Sequence, residues 1–304
     1  MQQGDSMQEL RLAVAQVVVR DDPRDSAQLR QSGAGIRELM RQARQADARI
    51  IHFPEGATCS PNKRIMSVTG PEQVGPADWD RADWEVLRQE LAAIARLAGE
   101  LRLWTVLGSA HPLTPPHRPH NSMYVISDRG ELVTRYDERL LSNTKLSYMY
   151  TPGANPVTFE VDGLRFGCVL GIEVHFPELF AEYERLDVDG VFISTGPGEN
   201  DDRTAAFATE AQAHAATNSL WVSFAMPAQH SAAAAAGIIS PDGHWAARCP
   251  GDGRPAVAVA GIDNEPESID IAVGKARPWR RFARTGVYDA HLVTDNRSDN
   301  RTAF

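Results

Sequence analysis

Short apolar runs alternate with stretches of helical spacing over the first two thirds of the chain. Residues 12–19 form the first β-rich run, a helical pattern follows over 28–46, and 48–53 reads as a second buried strand ending at Pro54-Glu55. The clearest helix begins near Asp83, where Trp84, Leu87, Leu91, Ile94 and Leu97 recur every three or four residues and line one face. Residues 103–109 are strand-like. Two hairpins follow, 122–127 with 131–136 across Asp128-Arg129-Gly130, and 157–161 with 164–171 across Asp162-Gly163. A buried-strand signal at 188–194 precedes the Gly- and Pro-containing segment that opens at Thr195. An Ala-rich helix is expected over 202–218 and a strand over 220–225. The last strands are 237–240, before the turn Pro241-Asp242-Gly243, and 256–262. Such alternation predicts an α/β layered fold. No repeat or linker divides the chain, so the expected organisation is an extension over 1–9, a single domain over 10–265 and an arginine-rich tail over 266–304 that wraps a neighbour or its own subunit.

Composition narrows the partners. With 304 residues and 42% hydrophobic content, the chain can fill a sizeable core. A net charge of −9 and scattered arginines argue against nucleic acid as a partner. No apolar run approaches the roughly 20 residues that span a bilayer, and the polar start has no signal-peptide pattern. The expectation is a cytoplasmic protein without a membrane partner. Cys59, Cys168 and Cys249 are odd in number and widely spaced, which argues against a disulfide framework or a metal-binding CxxC. His111, His117 and His120 fall in a Pro-rich stretch better read as a solvated loop than as a metal site. Neither metal nor cofactor is expected. The alanine run at 232–236 carries no chemistry of its own.

Four ordered segments change the picture: Ile50-Ile51-His52-Phe53-Pro54-Glu55, the stretch 130–141, the stretch 167–178, and Ser240-Pro241-Asp242-Gly243. Together they resemble the nitrilase (carbon-nitrogen hydrolase) superfamily, from about residue 10 to the Tyr288 region. The resemblance implies a four-layer α-β-β-α sandwich, assembled as a homodimer or larger homo-oligomer. It also implies a pocket in which glutamate moves a proton, lysine stabilises developing negative charge and a cysteine thiolate attacks an amide or nitrile carbon.

Placed on that pattern, Glu55 takes the position of the general base. Tyr136-Asp137-Glu138 puts Glu138 at the lysine position, since Arg139 one residue on would face the other way along a strand. Gly171-Ile172-Glu173-Val174-His175-Phe176-Pro177-Glu178 matches the nucleophile turn at Ile172, Glu173, Phe176, Pro177 and Glu178, so Gly171 stands at the cysteine position. Cys168, three residues earlier on the same strand, points to the opposite face. Two converging carboxylates repel unless a cation lies between them, and Lys145, near where many family members carry a second glutamate, is the candidate for a reversed acid–cation pair.

The expected catalytic set is therefore Glu55, Glu138 and Glu173, with Gly171, Ile172, Lys145, His175, Cys59 and Thr195 around the pocket. The leading functional expectation is a repurposed enzyme performing acid–base chemistry on a small nitrogen-containing molecule by elimination, cyclisation, condensation or non-covalent hydrolysis. The alternatives are a pseudoenzyme that binds a ligand or partner, and an active-site variant of an amidase. Trp279 and Phe282, among the arginines of 275–284, are expected at or beside a subunit contact.

Overall fold

The computed structural model describes residues 9–196, 204–263, 271–295 and 301–302. Expectations for residues 1–8, 197–203 and 264–270 lie outside these, including the first two residues of the helix expected from 202 and the junction at 265–266. Strands β1 (Leu10–Gln16), β2 (Ile50–His52), β3 (Trp104–His111), β4 (His120–Ile126), β5 (Leu132–Asp137) and β12 (Ala256–Ile262) build one sheet in the order β12-β1-β2-β3-β4-β5. The second sheet takes β6 (Thr158–Val161), β7 (Leu164–Leu170), β8 (Gly190–Ser194), β9 (Trp221–Ala225), β10 (Gly237–Ile239) and β11 (Trp245–Arg248), in the order β11-β10-β9-β8-β7-β6. In each sheet the central strands are parallel, β1-β2-β3 and β7-β8-β9, with antiparallel strands outside them.

The period-2 side-chain alternation of a strand explains the layering. On β1, Leu12 and Val14 enter the core between the sheets with Val106, Phe166, Leu170 and Phe192, while Ala13 and Ala15 face outward. That outer face is covered by α1 (Ser26–Gln45) and α2 (Trp84–Leu101), which contribute Ile36, Met40, Ile94 and Leu97. The second sheet is covered by α3 (Pro177–Arg185) and α4 (Thr204–Asn218) through Phe180, Tyr183, Phe207 and Ala211. The result is an α-β-β-α sandwich of the expected kind. Both expected hairpins form, as β4-β5 and β6-β7.

Three elements add to what the patterns indicate. The last strand, β12, pairs antiparallel with β1 rather than with its sequence neighbours, which joins the C-terminal part of the domain to its start. Strand β11 is short, alternately exposed, and made of Trp, Ala and Arg, a composition with little β signal. The arginine-rich segment forms α5 (Arg277–Ala283), anchored on its own chain. The buried Arg277 guanidinium donates to Asp189 Oδ1 at 3.0 Å and to the Ser219 carbonyl at 2.8 Å. Trp279 and Phe282, expected at a subunit contact, are 56% and 51% exposed on this chain and pack against each other at 5.7 Å.

Candidate functional site

The site gathers at the carboxyl ends of strands from both sheets, where open α/β sheets commonly bind ligands. Beyond β2 the chain runs Phe53-Pro54-Glu55 and lies so close to β3 that a methyl group on Gly108 would stand 2.2 Å from the Pro54 carbonyl oxygen. Just before it, the buried His52 ring bridges the sheets, with Nε2 2.7 Å from Ser194 Oγ and Nδ1 2.9 Å from Ser223 Oγ. Burial lowers the His52 pKa to about 3, so the ring is neutral and acts as a spacer.

Glu55 meets two other charged groups. Its Oε1 accepts from Lys145 Nζ at 2.5 Å and from Asn121 Nδ2 at 2.8 Å. Lys145 Nζ also donates to both oxygens of Glu138, at 2.9 and 2.8 Å, and Asn121 Nδ2 donates to Glu138 Oε2 at 2.6 Å. Asn121 and Glu138 face each other where the β4-β5 ladder runs on past its last strand pair, through a bond from the Glu138 N–H to the Asn121 carbonyl. Lys145 comes from a π-helical turn, Lys145–Met149. Glu55 Oε2 is buried and accepts no hydrogen bond among the described residues.

Two carboxylates share one ammonium. Burial raises the Glu138 pKa, to about 8, with Glu55 pushing the same way and Lys145 and Asn121 opposing. For Lys145 burial acts downward, but Glu138 and Glu55 outweigh it and raise its pKa, so it remains an ammonium. Glu138 therefore holds a proton to higher pH than an ordinary carboxyl, while Lys145 stays charged.

Glu55, Asn121 and Lys145 open onto a cleft of about 1010 Å³ whose wall also includes Tyr150, Gly171 and Ile172, while Glu138 lies fully buried behind it. Gly171 has φ +62°, in the left-handed region that favours glycine. A methyl group there would stand 2.6 Å from Glu138 Oε1 and 2.8 Å from Lys145 Nζ. The charged cluster thus fills the space that a side chain at position 171 would enter. His175 is at the cleft wall too, its Nδ1 2.6 Å from Glu210 Oε2.

Three expected site residues lie elsewhere. Glu173, expected to be catalytic, is fully buried behind the turn and outside the cleft wall. Its Oε1 accepts from the N–H groups of Arg139 and Leu140 at 2.6 and 3.0 Å, and its Oε2 from Tyr136 OH and the Leu170 N–H at 2.7 and 2.9 Å. Every preferred acceptor direction is used, so the expected acid–base role is corrected to that of a brace beneath Glu138 and Gly171. Cys59 is turned into an apolar cluster with Leu29, Val86 and Leu87, because the chain after Glu55 coils inward toward α1 and α2. Thr195 Oγ1 donates to the Ala225 carbonyl at 3.1 Å and is spent within the sheet. All three cysteines are buried, none lines the cleft, and burial pushes each thiol pKa up.

His111 and His120 are cross-strand partners on β3 and β4, their ring nitrogens engaged by Tyr124, Arg135 and Thr151. Among the described residues no cluster of three or more His, Cys, Asp or Glu could hold a metal ion, and no helix is long and apolar enough to cross a membrane. Asn121 and Tyr150 escaped the sequence reading. The available signal for Asn121 was a polar amide inside an otherwise strand-like run, and for Tyr150 its place five residues after Lys145.

The two-sheet α-β-β-α sandwich is shared with amidases of the nitrilase superfamily. The chain belongs to the carbon-nitrogen hydrolase family, whose profile matches residues 11–268. "Hydrolase MT0498" and "Hydrolase Rv0480c", from two strains of Mycobacterium tuberculosis, are each 25% identical to it over 200 residues, covering 62% of this chain. The match spans 64% of the length of those curated relatives. Among solved structures, a mutant of the amidase from Nesterenkonia sp. AN1 in complex with butyramide superposes with a TM-score of 0.69 at 15% identity, covering 92% of this chain and 97% of that one. Another mutant of that amidase, with the acetamide moiety of fluoroacetamide added covalently at its active-site cysteine, gives 0.67 at 15% identity, covering 84% and 91%. At this identity the likeness establishes the shared fold.

Proposed function

We propose that this protein is an enzyme acting on a small nitrogen-containing molecule by acid–base chemistry, without a covalent bond between substrate and thiol. One observation carries the reading: the turn that faces Glu55 presents Gly171, and Glu138 and Lys145 occupy the space beside it. Lys145 is no substitute nucleophile, because its flanking carboxylates hold it as an ammonium. The same arrangement suits a charge-stabilising role.

In the hydrolytic version, a water molecule attacks the carbon of a C–N bond while the Glu55 carboxylate takes a proton from it. Negative charge developing on the substrate is met by the Lys145 ammonium. The C–N bond then breaks and Glu55 returns the proton to the departing nitrogen, so water is consumed and the carboxylate is regenerated. Elimination or cyclisation would use the same acceptor with a substrate proton in place of water. An open cleft, with a buried carboxylate oxygen that has no partner among the described residues, supports an acting site over a relic.

The test is turnover of a panel of small amides, ureas and nitriles, before and after iodoacetamide treatment, in the wild type and in Glu55→Gln. Turnover that survives iodoacetamide and falls by about 10² to 10⁴-fold in Glu55→Gln is expected. Turnover abolished by iodoacetamide would refute the reading. Saturable binding without turnover across the panel would favour the pseudoenzyme instead.

A further inference from the structure

The described tyrosines that are buried divide into two groups. Tyr136 OH donates to Glu173 at 2.7 Å, Tyr183 OH to the Cys168 carbonyl at 2.6 Å, and Tyr124 OH lies 2.7 Å from His111 Nδ1. Tyr150 is also largely buried, at 5% exposure, but its hydroxyl makes no hydrogen bond among the described residues. The hydroxyl is not fully enclosed, so it meets solvent on the cleft side, as a tyrosine with an apolar body and a polar tip commonly does. Of these four, Tyr150 is the one that lines the cleft, alongside Glu55, Lys145 and Gly171.

Its position is fixed from two sides. The backbone N–H of Tyr150 donates to the Lys145 carbonyl at 2.9 Å, closing the π-helical turn. The ring packs on Trp79 at 5.5 Å, and Trp79 Nε1 in turn donates to the Met149 carbonyl at 2.7 Å. Burial, followed by the charge of Glu55, Cys59 and Glu138, raises the phenol pKa well above its ordinary value. The hydroxyl therefore keeps its proton and acts as a donor.

We propose that Tyr150 is a ligand-contacting residue whose hydroxyl donates a hydrogen bond to an acceptor atom, a carbonyl oxygen or an sp or sp² nitrogen, of the small molecule bound against Glu55. The inference rests on the functional reading above for the place of the ligand. It adds a recognition requirement: an acceptor for Tyr150 on the same molecule that offers an N–H or O–H to Glu55. A molecule with donors alone would leave the phenol unpaired.

Tyr150→Phe, which keeps the ring and its Trp79 contact, tests this with two measurements on the full chain. Thermal unfolding of the free variant should match or slightly exceed wild type, because no internal hydrogen bond is lost, whereas Tyr136→Phe, losing a bond to Glu173, should unfold at a lower temperature. Calorimetric affinity for butyramide should fall about tenfold in Tyr150→Phe, the size expected for one hydrogen bond. Destabilisation equal to that of Tyr136→Phe would make the hydroxyl structural and overturn the proposal. So would unchanged butyramide affinity, or no saturable binding by the wild type. Affinity is read without turnover, so a thiol adduct would sink the non-covalent reading while leaving this result standing.

Discussion

Glu173 and Glu55 are both buried carboxylates that follow a central strand, one in each sheet, yet their oxygens are used in opposite ways. Glu173 accepts four hydrogen bonds, three from backbone N–H groups, and ties the chain around Arg139 and Leu140 to the end of β7. Glu55, in the wall of a large cleft, spends one oxygen on Lys145 and Asn121, and its other oxygen has no donor among the described residues. Burial alone therefore does not mark a functional acid. A saturated carboxylate is part of the frame, and an unsaturated one at a cavity is available for chemistry.

The largest effect expected from this contrast is on stability. Glu173→Ala strands several buried donors and should cost about 3 kcal/mol or more in urea unfolding. Glu55→Gln, which leaves Lys145 paired with Glu138, should cost less than half as much. Equal losses would dissolve the distinction between frame and site.

Next comes Gly171→Ala, which forces a side chain into left-handed backbone and against Glu138 and Lys145. A cost of about 1–3 kcal/mol is expected by the same denaturation assay. A neutral result would show that the charged cluster moves aside freely, leaving room for a side chain at the turn.

The finest test concerns pH. The Glu138 pKa is raised in the folded state, from an ordinary 4.5 to about 8, so its neutral form is favoured by folding. Its contribution to stability is complete below pH 4.5 and is lost as pH rises through about 8. Glu138→Gln, permanently neutral, should therefore gain melting temperature relative to wild type as pH rises across that window. A constant difference would mean that Glu138 is already ionised throughout, with Lys145 compensating it fully.

The sequence held more of the fold than of the site's inner geometry. Period-2 and 3.6-residue patterns anticipated the principal strands and helices, and Phe53-Pro54-Glu55 placed its acid at the cleft. The reversed pair of Glu138 and Lys145 was also foreseeable, since two acids without a cation would be costly in one pocket. Glu173 was misread because a short turn of 3₁₀ type, Gly171–His175, decides which way each side chain faces, and motif spacing does not encode that direction. Cys59 was placed too near the cleft because proximity to Glu55 in sequence ignores the inward coil of residues 56–60. Asn121 depends on cross-strand register, and Tyr150 on a π-helical turn that has no sequence period of its own.

Chemistry without a thiol adduct can be checked by intact-mass and peptide mass spectrometry of the folded wild type after incubation with fluoroacetamide. The expected result is an unmodified chain, with Cys59, Cys168 and Cys249 all free. An acetamide adduct on any of the three, formed in step with loss of turnover, would contradict it.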